Sequence, residues 1–170
     1  MTTSVTDDPP LFLSKPRSNV VREKGYRYLG VRNVCLNRIT EQWQYLLFWE
    51  TDTTDIKYDV TDAFRGMSYI CYSTKHGAHW VGLTPLEPNR WGERFQQLRD
   101  NSYNHKYAGQ TIRLSRKRDE KQRLLHYNFQ YKTIMNLYQV YQKRFNITET
   151  PMHSLNDYAC IYEWYRSKKN

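Results

Sequence analysis

An α+β fold is what the sequence predicts, on three observations. Strand-period and helix-period segments alternate from residue 42 onward. Aromatic side chains, 15 Tyr, 6 Phe and 5 Trp, supply large buriable area to a chain whose apolar fraction is only 39%. A length of 170 residues suits one core rather than two. Residues 1–20, rich in Ser, Thr, Asp and Pro and without lasting periodicity, read as a flexible N-terminal arm, and residues 21–170 as a single α+β domain.

The elements follow in order. Residues 26–36 suit a strand, with Gly30 as a bulge. Residues 42–50 hold Trp43, Tyr45, Leu46, Leu47, Phe48 and Trp49 in a near-continuous apolar run, as a central strand buried on both faces requires. Residues 59–67 predict a short helix that stops near Gly66. Residues 69–84 form two apolar strands around a polar bend at Lys75-His76-Gly77. Trp91, Phe95 and Leu98 fall at helical spacing after Pro88, so residues 89–100 predict a second helix, followed by a polar loop over 101–109 and a short strand over 110–114. Alternation over 125–131 indicates another strand. Residues 133–145 predict a helix, and a last amphipathic helix starts at Ser154 and carries Leu155, Tyr158, Ile161, Tyr162 and Tyr165. From residue 42 the order is strand, helix, strand, strand, helix, strand. That is the ferredoxin-like or RRM-like βαββαβ core, with an extra N-terminal strand and C-terminal helices.

A net charge of +9, with basic and aromatic residues interleaved, points to an anionic partner, single-stranded DNA or RNA before a membrane. No segment reaches the roughly 18 apolar residues of a membrane span, and the N-terminus lacks a basic-then-apolar leader. Cys35, Cys71 and Cys160, odd in number and without Cys-x-x-Cys spacing, argue against a disulfide framework and a zinc ribbon. Together these predict an intracellular protein, cytoplasmic or nucleoid-associated, with no membrane partner.

In the predicted topology the first and third core strands are antiparallel neighbours, which brings Glu50, Asp52 and His79 together. Two carboxylates one residue apart are a seat for a hard cation, Mg²⁺ or Mn²⁺, completed by substrate phosphates. Lys75 and His76 at the hairpin bend, and Arg113 with Arg116, Lys117 and Arg118 after it, are candidate contacts to nucleotide or nucleic-acid phosphates. His105, His126 and His153 stand alone and read as structural or surface residues. The pairs Tyr127/Tyr131 and Tyr158/Tyr162 read as core packing.

The run Leu46-Leu47-Phe48-Trp49-Glu50-Thr51-Asp52, followed by Thr74-Lys75-His76-Gly77-Ala78-His79 in a strand hairpin, resembles the catalytic core of the archaeo-eukaryotic primase superfamily over residues 42–118. Glu50 and Thr51 depart from the Asp-apolar-Asp of its first motif, and its third acidic motif has no counterpart in residues 107–115. The resemblance implies a replication protein, active or degenerate, in which Glu50 and Asp52 hold the metal, His79 and Lys75 meet nucleotide phosphates, and a larger replication subunit serves as partner. If active, it is a primase or nucleotidyltransferase. Two other readings fit the same composition. One is a non-catalytic single-strand binder that stacks bases on aromatic rings. The other is a basic structural or inhibitor protein of viral or plasmid origin.

Overall fold

The computed structural model describes residues 27–51, 58–101, 111–114 and 121–166. Strand β1 (Arg27–Asn37) is the spine of the first sheet. It is flanked on one edge by the last strand, and its other edge is shared between β2 (Gln42–Tyr45) and a short strand at Thr111–Arg113. The register irregularity in β1 falls between Val31 and Cys35, not at Gly30. The second sheet is antiparallel and runs β3 (Phe48–Thr51), β5 (Ala78–Gly82), β4 (Tyr69–Ser73), then β7 (Leu124–Asn128), with Thr111–Arg113 being β6.

Residues 42–50 are therefore two strands in two sheets rather than one central strand. The apolar run has the side-chain alternation of a strand throughout, but its halves fill different cores. Leu46 and Phe48 join the core between the sheets, whereas Leu47 and Trp49 join a second core under the helices. Backbone groups at the crossing find partners outside a regular ladder: Leu46 N–H donates to the Asn33 carbonyl at 2.9 Å, and the Leu47 carbonyl accepts from Gly82 N–H at 2.7 Å.

Helix α1 (Tyr58–Ala63) ends in a turn through Gly66, whose φ of +80° suits glycine. With α2 (Pro88–Asn101) it covers the outer face of the second sheet, packing Phe64, Leu98, Trp91 and Phe95 against Trp49, Trp80 and Tyr69. The β4–β5 hairpin forms as the sequence indicates, with Ser73 opposite Ala78. The order β3-β5-β4 also matches the first three strands of a split βαβ. The fourth strand does not close the ferredoxin-like sheet. β6 pairs with β1, where Ile112 and Leu114 enter the core between the sheets, and the far edge is taken by β7 instead.

Helix α3 (Met135–Phe145) buries Leu137, Tyr138 and Tyr141 in that same core. It ends at Asn146 in the left-handed conformation (φ 53°), which Asn tolerates. It connects β8 (Lys132–Ile134) to its parallel partner β9 (His153–Leu155). The predicted last helix is a strand, β10 (Tyr158–Arg166), paired along β1. Its apolar spacing fits a helix by coincidence. Tyr, Cys, Ile and Trp favour an extended chain, and residues 159–162 are all buried, as a strand covered on both faces requires. The architecture is thus α+β with mostly antiparallel sheets and few helices. Among the described residues no helix is long and apolar enough to cross a membrane.

The crossing constrains Gly82. A Cβ there would stand 2.7 Å from the Leu47 carbonyl oxygen and 3.2 Å from its nitrogen, both backbone atoms of the crossing. Gly82→Ala is expected to lower stability by about 1–3 kcal/mol, the usual penalty of overpacking. Urea unfolding checks this: a midpoint equal to that of the parent chain would contradict the close approach.

Candidate functional site

Glu50 is the penultimate residue of β3, and its register partner on β5 is His79. Both side chains leave the sheet on the face toward α3, since their neighbours two residues away, Phe48 and Val81, lie in the core between the sheets. His79 Nε2 is 2.5 Å from Glu50 Oε2, and its Nδ1 is 3.2 Å from the Tyr72 hydroxyl on β4. The Tyr72 and His79 rings meet edge to face at 79°. Tyr72 is fully buried, whereas His79 and Glu50 keep 20% and 29% of their side-chain surface exposed. The pair therefore sits at the rim of the core, on a buried phenol.

Burial pushes the Tyr72 hydroxyl well above its ordinary pKa, with Tyr141 adding to the effect and the Arg144 guanidinium opposing it. A protonated phenol can donate to Nδ1. With Nδ1 accepting, a neutral ring carries its proton on Nε2, facing Glu50. Tyr72 and Glu50 thus engage both ring nitrogens and hold the orientation of the ring.

Arg144, in the last turn of α3, completes the cluster. Its guanidinium lies over the rings of Tyr141 (5.1 Å), Tyr72 (5.9 Å) and Phe145 (6.0 Å), and Nη1 donates to Gln122 Oε1 at 3.3 Å. Nothing in the sequence marks it, because a basic residue ending a helix is already accounted for by the helix dipole. Lys75 and His76 are exposed at the tip of the β4–β5 hairpin, in a turn closed by Thr74 N–H donating to the Gly77 carbonyl at 2.8 Å. At the same end of the sheet Ser73 and Arg123 are joined by backbone and hydroxyl hydrogen bonds of 2.8 Å.

Other predicted residues lie elsewhere. Arg113 is on the first sheet, opposite Gly30, with its guanidinium 4.6 Å from the centre of the Tyr28 ring, so it does not share a strand ladder with His79. Asp52, Arg116, Lys117 and Arg118 lie outside the described residues, as does His105. His126 is structural, bonded through Nδ1 to the Tyr69 hydroxyl at 2.5 Å. Tyr127 and Tyr131 are not core residues: 41% and 39% of their surface is exposed.

Among the described residues no three His, Cys, Asp or Glu side chains gather to hold a metal ion. The donor chemistry fits a hard cation only in part. Glu50 contributes one carboxylate, one of whose oxygens is engaged by His79, and Mg²⁺ or Mn²⁺ takes one or two carboxylates plus substrate phosphates. Comparison with protein-family models, curated proteins and solved structures returns no match to this chain.

Burial of Tyr72 makes a pH prediction. The native chain keeps the phenol protonated where an unfolded tyrosine ionises, near pH 10, so its contribution is intact below that pH and is lost as pH rises above it. Above about pH 10 the fall in unfolding free energy with pH is expected to be shallower in Tyr72→Phe by about 1.4 kcal/mol per pH unit. Denaturant titrations between neutral and alkaline pH measure this, and equal slopes in the two proteins would refute it.

Proposed function

We propose that this protein is a nucleic-acid-associated replication factor with a primase-polymerase-like site, and that it carries out metal-dependent nucleotidyl transfer on single-stranded DNA or RNA. The observation that supports this most is the Glu50–His79 contact of 2.5 Å across adjacent antiparallel strands, at a sheet end that also carries Lys75, His76, Arg123 and Arg144. Glu50 and Asp52 are the residues to hold Mg²⁺ or Mn²⁺, which when bound neutralises charge developing on the phosphates. Tyr72 and Glu50 engage both nitrogens of His79 and orient its ring. Lys75 on the hairpin and Arg144 on α3 supply positive charge to triphosphate oxygens, and His76 a hydrogen-bonding imidazole. In the reaction a terminal hydroxyl oxygen bonds to the α-phosphorus, the bond from that phosphorus to the bridging oxygen breaks, and pyrophosphate leaves with the electron pair. The hydroxyl proton passes to solvent. A larger replication subunit as partner belongs to the same proposal.

A second reading, single-strand binding without catalysis, is favoured by the half-exposed rings of Tyr127 and Tyr131, since exposed aromatics beside basic residues are what base stacking uses. A primer-extension assay with Mn²⁺ and labelled nucleotide separates the two. Catalysis predicts product that falls at least about 100-fold in Glu50→Ala, as when a transition-state electrostatic partner is removed. Product undiminished by Glu50→Ala refutes the assigned site. Salt-sensitive strand binding with no product from either protein refutes catalysis and leaves the binder.

A further inference from the structure

A cleft of about 230 Å³ opens on the opposite face of the second sheet, between the turn after α1 and the turn after β7. Tyr69, which lines it, belongs to the helix-covered core, whereas Tyr72 beneath His79 belongs to the core between the sheets. The two sites are therefore on different sides of the same strand, and the cleft is independent of the Glu50–His79 reading.

Both rims of the cleft are fixed. On one side the chain turns at Gly66, and Arg94 from α2 donates to the carbonyls of Ala63 at 3.0 Å and Arg65 at 2.7 Å. On the other, the backbone of Tyr131 is tied to the Ser68 hydroxyl, which donates to the Tyr131 carbonyl (2.8 Å) and accepts from its N–H (3.2 Å). The aromatic lining is equally constrained. Phe64 and Tyr69 have ring centres 5.4 Å apart, the Phe64 ring stacks on Trp80, and the Tyr69 hydroxyl is bonded to His126. Against this fixed aromatic lining Tyr131 stands 39% exposed, with its hydroxyl making no hydrogen bond among the described residues.

The polar groups at the mouth indicate the chemistry of an occupant. Asn128 accepts through Oδ1 from Gln130 N–H at 3.2 Å, which leaves its amide N–H₂ as a donor. Arg65, whose side chain is 72% exposed, pairs with Asp62 through one nitrogen and keeps further donors for an anion. Phe64 and Tyr69 form a buried floor, and the exposed Tyr131 ring is the aromatic surface that suits a planar ring; the amide and phenol suit a ring that carries hydrogen-bonding edges, and the guanidinium suits an attached anion. The volume is below the roughly 300–1,000 Å³ of sites for drug-sized ligands, so one ring system fits and a larger one does not.

We propose that this cleft is a nucleobase site, taking one base with its phosphate toward Arg65, from a free nucleotide or from a single strand. Tyr131 supplies the stacking face, Asn128 reads the edge of the base, and Arg65 meets the phosphate.

The full-length chain is titrated with nucleoside 5′-monophosphates and, as the control without a base, with ribose 5-phosphate, followed by backbone and side-chain NMR. Monophosphates are expected to shift the signals of Tyr131 and Asn128, and Tyr131→Ala to weaken binding about tenfold or more, the worth of one stacked base. Tyr131→Phe should keep most of the affinity. A short single strand then assigns the source. If it displaces the monophosphate and loses affinity in Tyr131→Ala, the occupant is a strand base; if it does not compete, the occupant is the free nucleotide. The proposal is overturned if ribose 5-phosphate binds as well as the monophosphates, if Tyr131→Ala binds them unchanged while melting like the parent chain, or if millimolar nucleotide leaves the Tyr131 and Asn128 signals unmoved.

Discussion

The fold depends on one crossing. Where the chain passes from β2 to β3 it leaves one sheet and enters another, with Leu46 buried in one core and Leu47 in the other. The passage needs a strand neighbour without a side chain, and Gly82 on β5 supplies it: its N–H donates to the Leu47 carbonyl at 2.7 Å, and a Cβ would stand as close to that oxygen. Because the transfer occupies only two residues, β3 begins at once and carries Glu50 straight to His79. Trp91 secures the same point from the helical layer by donating its indole N–H to the Leu46 carbonyl at 3.0 Å. The two four-stranded sheets, the two cores and the position of the site are all tied to that passage.

The polar cluster at the end of the second sheet is held more tightly than solvated surface residues would be. A buried hydroxyl unmatched by a partner costs free energy, and Tyr72 finds one in His79. His79 finds a second in Glu50. Arg144, resting on three aromatic rings, brings a positive charge beside a pair that carries a carboxylate. Such a chain of contacts orders the imidazole with few degrees of freedom left, which is the kind of preorganisation that a site acting on charged groups requires.

Much of this was legible in the sequence because local signals agreed with tertiary demands. The β4–β5 hairpin followed from two apolar runs around a polar bend, α1 from its Gly66 stop, and α2 from Trp91, Phe95 and Leu98 at helical spacing. The neighbourhood of Glu50 and His79 followed from strand order alone, since β3 and β5 are antiparallel neighbours in the split βαβ arrangement and in this sheet. What was not legible had equally physical causes. Hydrophobic periodicity cannot show that residues 42–51 change sheets, because side-chain alternation continues unbroken through Leu46 and Leu47. The spacing of Leu155, Tyr158, Ile161 and Tyr162 satisfies a helix, yet β1 presents an edge that β10 pairs along its length, and that pairing outweighs the pattern. Arg144 came into view only through the rings around it, and Tyr131, which the sequence placed in the core, stands exposed because a turn bonded to the Ser68 hydroxyl carries it.

Whether Glu50 is a metal ligand beside an oriented histidine decides the chemistry of the site, and paramagnetic broadening by Mn²⁺ tests it most directly. Substoichiometric Mn²⁺ added to the parent chain is predicted to broaden the His79 imidazole signals ahead of those of His126 and His153, and Glu50→Ala to abolish the effect. His79 signals that stay sharp while Mn²⁺ broadens other histidines, or broadening that persists in Glu50→Ala, would contradict it.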